Sequence, residues 1–235
     1  MSIDMTEIIK PFDMEKIIEK LQGKRQIFCS EADFQLEMAW VIKERYPDAE
    51  VRLEYVPKFD DKTFNDKMRI DIIVFINNKW ILIELKYKTK KGEMRDKKTQ
   101  EVFNLKNQGA KDIGCYLYLK DIMRIEIIKE QKIEIIKGQK NNFKEGYAVF
   151  LTNDETYLNP PQNNDCVYKD FSLEHGITKH GELKWAEHAG DWTKKGGIED
   201  PITLKGIYKM EWNEFSNVDK ERSDGIFYYL VTKII

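Results

Sequence analysis

Cysteine is scarce in this 235-residue chain: Cys29, Cys115 and Cys166 are odd in number, far apart and form no CxxC pair. That excludes a disulfide framework and a cysteine zinc ribbon, and fits a reducing compartment. Histidine is equally sparse, and His175, His180 and His188 lack zinc-ligand spacing. There is no GxSxG, no paired Cys/His nucleophile and no glycine-rich phosphate loop. No apolar run approaches the ~18 residues of a membrane span, and "MSIDMTEIIKPFDMEK" lacks the basic-then-apolar layout of a signal peptide. The expectation is a cytoplasmic protein with no membrane partner. Neither sign of charge dominates: 34% of residues are charged, yet the net charge is −2. Only local clustering can therefore point to a polyanion.

What the chain does have is 41% hydrophobic residues, ample for a sizeable core, and a periodicity that changes along its length. Asp13–Leu21 reads as a short helix with Gly23 near its stop. Ser30 is a plausible N-cap for a second helix, in which Phe34, Met38, Val41 and Ile42 recur at helical spacing until "YPDAE". "VRLEYVPKF" reads as a strand, and Asp60–Lys67 as a loop. Next come two β-rich runs joined by Asn77-Asn78, residues that tolerate the left-handed turn of a hairpin. Lys97 to about Glu130 reads as one long helix, although Gly109 and Gly114 interrupt it. "YAVFLTND" has the character of a buried strand. Beyond Asp154, turn residues cluster and short β-like pieces such as "ITLKGIYKMEW" and "GIFYYLVTKII" appear. These boundaries divide the chain into an N-terminal helical segment (1–22), a core (23–154) and a β-rich elaboration of the same domain (155–235).

The run "RIDIIVFINNKWILIELKYKTK" poses the chemical question, because it places an acid inside each of two apolar strands. With Asn77-Asn78 as the turn, paired residue numbers sum to 155, so Asp71 faces Glu84 and Lys86 projects from the same side. Opposed side chains have Cβ atoms roughly 4.5–5.5 Å apart. Two carboxylates there repel, and a divalent cation relieves the conflict: hard oxygen ligands on a rigid hairpin suit Mg²⁺ or Mn²⁺. A lysine beside them can orient a water or neutralise charge on a phosphate. The plain structural alternative is a solvated or salt-bridged set, for instance Glu84 with Arg69.

An acidic helix, a strand bearing Ile70-Asp71, a twelve-residue gap and Glu84-Leu85-Lys86, then a further helix, resembles the PD-(D/E)XK restriction-endonuclease-like superfamily. The likeness runs from about Gly23 to Asp154, with Ile70 where the motif is written with proline. It implies an α/β fold: an α-β-β-β-α-β core, a mixed central sheet flanked by helices, followed by the β-rich C-terminal part. It also implies a metal-dependent nuclease acting on nucleic acid, DNA first, in which Asp71, Glu84 and the Leu85 carbonyl hold Mg²⁺ or Mn²⁺ and Lys86 positions the attacking water. The superfamily often adds an acid from its first helix. Glu31 falls on the inward stripe of Phe34, Gln35, Met38 and Ile42, whereas Asp33 and Glu37 fall off it and read as solvated; Glu54 is a secondary candidate. Relatives often carry a polar residue on the second core helix, a place that Gln108 fits. Many nucleases of this fold pair to cut both strands, so the resemblance allows a homodimer. A catalytically inactive nucleic-acid-binding module of the same fold is the alternative.

Between Lys86 and Lys111 nine basic residues meet only three acids, Glu93, Asp96 and Glu101. Lys88, Lys90 and Lys91 lead that segment away from the carboxylates and suit a phosphate backbone. The aromatic residues Trp185, Trp192, Trp212, Tyr228 and Tyr229 read as core in β-rich segments rather than as base-stacking platforms.

Overall fold

The structure, a computed structural model, describes residues 11–57, 68–130, 142–161, 163 and 165–235. The expected loop at Asp60–Lys67, with the end of the "VRLEYVPKF" strand, lies outside them. Asn77 and Asn78 both take left-handed backbone (φ 54° and 57°), closing a two-residue hairpin between β2 (Ile70–Ile76) and β3 (Lys79–Lys88). The observed pairs, from Ile76 with Lys79 to Ile72 with Ile83, keep the expected register.

This hairpin lies inside a six-stranded mixed sheet. Its order is β1 (Glu50–Tyr55), β2, β3, β6 (Phe143–Thr152), β10 (Ile226–Ile234) and β9 (Trp212–Asn217). Only the β3–β6 pairing is parallel. Helices α1 (Met14–Lys24) and α2 (Glu31–Arg45) cover one face, and α3 (Lys111–Glu130) the other. Ile81, Ile83 and Leu85 enter the first core, while Trp80 and Leu82 enter the second. Because both faces are covered, β3 is apolar without alternation. The chain is thus mixed α/β with a mixed central sheet and flanking helices, and the strands β9 and β10 of the C-terminal segment form one side of that sheet.

The Asp13 carboxylate caps α1, and the Ser30 hydroxyl accepts from the Asp33 N–H to cap α2. The long helix expected from Lys97 is corrected. Val102–Leu105 forms strand β5, which pairs with β4 (Gly92–Arg95), and the helix begins only at Lys111. The alternating burial of Val102, Phe103, Asn104 and Leu105 drives this, since Phe103 and Leu105 join the α1/α2 core. Left-handed backbone at Gln100 and Ala110 (φ 63° and 66°) breaks the helical path on either side.

Strands β7 (Thr178–Leu183) and β8 (Ile202–Lys209) form a second hairpin, and β8 lies against α3. Trp212 is buried with its Nε1–H donating to the Leu173 carbonyl (2.7 Å), and Trp185 stacks on Tyr116, so both indoles serve the core. Gly146 lets β6 pass directly beneath α3, where a methyl group would overlap Cγ2 of Ile125. Gly146→Ala is therefore expected to lower stability by about 2 kcal/mol through overpacking, read as a reduced urea midpoint at unchanged slope.

Candidate active site

β3 continues past the start of β2, and among the described residues no strand pairs with that edge of its far end. Two N–H groups on that edge are taken by side chains. Leu85 N–H donates to Asp71 Oδ2 (2.6 Å), and Tyr87 N–H donates to Glu31 Oε2 (2.8 Å). Glu31 is the first residue of α2, where a carboxylate also suits the helix dipole. The divergence of β2 and β3 thus draws the two acids together, one from its own strand and one from the helix on the opposite core. Gln35, one turn further along α2 and buried, donates to the Asp71 carbonyl (2.7 Å) and to Glu54 Oε1 (2.9 Å). Glu54 is itself about half exposed, 3.9 Å from Arg69.

Glu84 and Lys86 point to the α3 side, where two further charges meet them. Lys86 Nζ lies 2.5 Å from Asp121 Oδ2 and 3.0 Å from the Leu85 carbonyl that it donates to. Arg124 donates to Asp121 Oδ1 (3.0 Å), approaches Glu84 Oε1 at 3.4 Å, and donates to the Arg69 carbonyl at the mouth of β2. Glu84 and Asp121 are only 2% and 3% exposed. Six charges converge: Glu31, Asp71, Glu84 and Asp121 against Lys86 and Arg124.

Burial dominates their electrostatics. It pushes the Asp71 carboxyl up to about 6; the Leu85 N–H and Lys86 pull the other way, and Asp121 and Glu31 add to the rise. Glu84 lies well above the ordinary glutamate range, first from burial and then from the charge of Asp121, with Arg124 opposing both. Burial works against the Lys86 ammonium, but Asp121 and Glu31 outweigh it and hold its pKa above the usual lysine value. Lys86 is therefore a fixed cation rather than a proton acceptor at neutral pH. Glu84 Oε1 is sealed from water and accepts no hydrogen bond, because the Arg124 contact is an ion pair without hydrogen-bond geometry. Among the described residues, no group of three or more acidic, histidine or cysteine side chains could hold a metal ion.

Three expectations need correction. Gln108 is not on the second core helix: it lies in the loop three residues before α3, its backbone N–H donating to the Thr89 carbonyl (2.9 Å). The α3 residues that reach the cluster are Asp121 and Arg124, one turn apart. An acid within the stripe of Tyr118, Leu119, Ile122 and Ile125 was the available signal. The Glu84–Arg69 pair does not form either, since the Arg69 side chain is 65% exposed and turns to Glu54. Nor are Asp33 and Glu37 simply solvated: Asp33 makes a two-pronged pair with Arg25 (2.8 and 3.0 Å), and Glu37 lies 3.5 Å from Lys24.

The basic segment does not form one surface. Lys88 follows Lys86 on the same side of β3 and is half-buried, while Lys91 is exposed. Lys90 pairs with Asp154 (3.2 Å). Lys97 Nζ donates to the Asn217 carbonyl (3.2 Å), Lys98 Nζ to those of Gln22 and Gly23 (2.5 and 2.9 Å), and Lys111 Nζ to that of Thr156. Those three ammonium groups tie loops and a helix end to the body of the fold.

No helix among the described residues is long and apolar enough to cross a membrane. Compared with protein-family models, with curated proteins and with solved structures, the chain matches none.

Proposed function

We propose that the end of the β2–β3 hairpin is the active site of a metal-dependent nuclease with a restriction-endonuclease-like core, hydrolysing phosphodiester bonds in DNA. The observation that carries this reading is the convergence of Asp71, Glu84 and Lys86 with Glu31 where β3 outruns β2. The order α2, β1, β2, β3, α3, β6, with the β4–β5 hairpin inserted, agrees with the α-β-β-β-α-β arrangement of such cores. The donors are of the type a hard divalent cation takes, carboxylate oxygens beside a main-chain carbonyl, but as they stand among the described residues no three of the acids are placed to hold one.

By the resemblance, Asp71, Glu84, the Leu85 carbonyl and Glu31 are the groups that would have to close on Mg²⁺ or Mn²⁺, giving up their present partners, the Leu85 N–H, Arg124, Lys86 and the Tyr87 N–H. When bound, the ion supplies Lewis-acid polarisation of the phosphate and a more acidic water. The protein's own contributions are positional and electrostatic. Gln35 fixes the main chain of Asp71, and Asp71 and Glu31 hold the free edge of β3. Lys86, charged throughout the neutral range, offsets the negative charge that develops on a transferring phosphate. Lys88 and Lys91 extend this positive path for the backbone of the substrate.

Cleavage of single-stranded, duplex and branched DNA with Mg²⁺ or Mn²⁺ tests the reading. Wild type is expected to cut, and Glu84→Ala and Lys86→Ala are each expected to lose ~10²–10³-fold while keeping a native circular dichroism spectrum. Cutting that survives both substitutions would place the chemistry elsewhere.

One observation favours a second reading, an interaction protein whose acids are merely salt-bridged: Lys86 pairs with Asp121 and Arg124 with Glu84. On that reading neither Mg²⁺ nor Mn²⁺ raises the melting temperature. A rise without cleavage would instead indicate an inactive nucleic-acid-binding module.

A further inference from the structure

The parallel pair of the sheet, β3 with β6, ends at Lys88 and Thr152. The start of α3 is tied to the chain just beyond those ends: Gln108 N–H donates to the Thr89 carbonyl, and Lys111 Nζ to that of Thr156. In open α/β sheets the crevice outside the carboxyl ends of parallel strands is a place where ligands bind. Here it holds a cavity of about 450 Å³, lined by Lys111, Thr156, Asn159, Asn163 and Tyr168. It lies apart from the hairpin acids, since Lys111 precedes Asp121 by ten residues of α3, ~15 Å along the helix axis.

The lining is rich in donors and poor in acids. Lys111 is half-buried, donates to a neutral carbonyl and lies 5.5 Å from the centre of the Tyr168 ring. Among the described residues no carboxylate comes within ion-pair distance of it. Asp154, whose charge it feels, already serves Lys90 (3.2 Å) and the Thr156 N–H (3.1 Å). Burial lowers the Lys111 pKa, the mark of an ammonium short of counter-charge. Asn163 Oδ1 accepts from the Asp165 N–H (3.1 Å), which leaves its amide N–H₂ to donate. The Asn159 amide and the hydroxyls of Thr156 and Tyr168 add further donors. Asp165 also borders the cavity, but its side chain is 82% exposed and lies 3.8 Å from His188.

We propose that this cavity is a phosphate site, in which the Lys111 ammonium and the surrounding amides and hydroxyls take the phosphate group of a nucleotide, either free or within a strand. A lysine serves phosphate as a point charge, and a phosphate's oxygens can use more donors than the two of a carboxylate. The volume is greater than a phosphate ion fills and lies in the range of small-molecule sites, which leaves room for the sugar and base. The site goes beyond the nuclease reading and does not depend on it.

Protection of Lys111 from acetylation by acetic anhydride tests this on the wild-type chain, mapped by mass spectrometry with the exposed Lys194 as reference. dTMP is expected to slow the reaction at Lys111 several-fold and to leave Lys194 unchanged, whereas thymidine, which lacks the phosphate, protects neither. An oligothymidylate without terminal phosphates identifies the source. Protection by it, alone or together with dTMP, supports an internal phosphate of a strand; protection by dTMP alone supports a phosphomonoester. In calorimetry, Lys111→Met is expected to weaken dTMP binding roughly tenfold, and Lys111→Arg, which keeps the charge, to retain most of the affinity. Equal protection by thymidine, no protection by any of the three, or undiminished dTMP binding in Lys111→Met would each overturn the phosphate site. EDTA in every buffer prevents metal-dependent cleavage, so none of these outcomes bears on the nuclease reading.

Discussion

Asp121→Ala is expected to lower the unfolding free energy by about 3 kcal/mol, the cost of removing one partner from a buried ion pair. Asp121 is 3% exposed and holds two cations, Lys86 at 2.5 Å and Arg124 at 3.0 Å. Without it, the Lys86 ammonium keeps, among the described residues, the Leu85 carbonyl within hydrogen-bond reach. The loss stays near the lower end of the range for buried pairs because Asp121 also raises the carboxyl pKa values of Asp71 and Glu84, a repulsion that disappears with it. For a chain of this length the melting temperature should fall by roughly 6–12 °C. Converting this pair to apolar residues of similar size, Asp121→Leu with Lys86→Met, should recover part of the loss, because the Lys86 ammonium is no longer left buried without its carboxylate. Thermal and urea unfolding of the two variants decide the matter. A double variant no more stable than Asp121→Ala would show that shape, not charge pairing, governs this position.

Glu126→Ala is expected to be at least as damaging, at about 3–5 kcal/mol, for a reason unconnected with the candidate chemistry. β7 and β8 pair Gly181 with Leu204 and Lys179 with Tyr208, so β8 carries extra residues opposite His180 and bulges outward. The N–H groups of Lys205 and Gly206 on the bulge have no ladder partner from β7. The Glu126 carboxylate, 5% exposed on α3, takes both: Lys205 N–H at 3.0 and 3.1 Å and Gly206 N–H at 2.6 Å. It also accepts from the Tyr208 hydroxyl at 2.7 Å. Truncation strands three donors at ~1–3 kcal/mol each, tempered by the water that can reach a half-exposed strand. Glu126→Gln keeps one acceptor oxygen but turns an amide N–H₂ toward one of the donors, so it should forfeit roughly half as much. Urea unfolding of the wild type and both variants gives the comparison. Hydrogen exchange at Lys205 and Gly206 should accelerate in Glu126→Ala well beyond the change seen in β3. Equal acceleration everywhere would mean that the carboxylate supports the whole fold rather than the bulge.

The local parts of this molecule were legible in the chain. Asn77-Asn78 sets a two-residue turn and the turn sets the register, observed from Ile76 with Lys79 to Ile72 with Ile83, which leaves Asp71 and Glu84 just past the last pair. Ser30 and the spacing of Phe34, Met38, Val41 and Ile42 mark α2 and place Glu31 at its first position. The failures share a cause. Residues 97–110 contain good helix formers, yet Phe103 and Leu105 find a core beside α1 and α2, and tertiary burial overrides propensity. Gln108 precedes the helix, which begins only at Lys111. Asp121 and Arg124 stand 37 and 40 residues after Glu84, and only the packing of α3 across β3 brings them to it.

What the sequence by itself determined is therefore whatever neighbouring residues decide: the turn, the caps, the hairpin register and the acids and lysine that it aligns. What only the tertiary structure decided is which charges those residues meet. The parallel β3–β6 crossover lays α3 over Glu84 and Lys86, β3 outruns β2 and leaves N–H groups that Asp71 and Glu31 accept from, and β9 and β10 complete the sheet from the far end of the chain. The physical reason is range. Turn and cap preferences act over about four residues, whereas the cost of an unpaired charge or an unpaired strand edge is met by any group that the fold carries within about 3 Å, however distant in sequence.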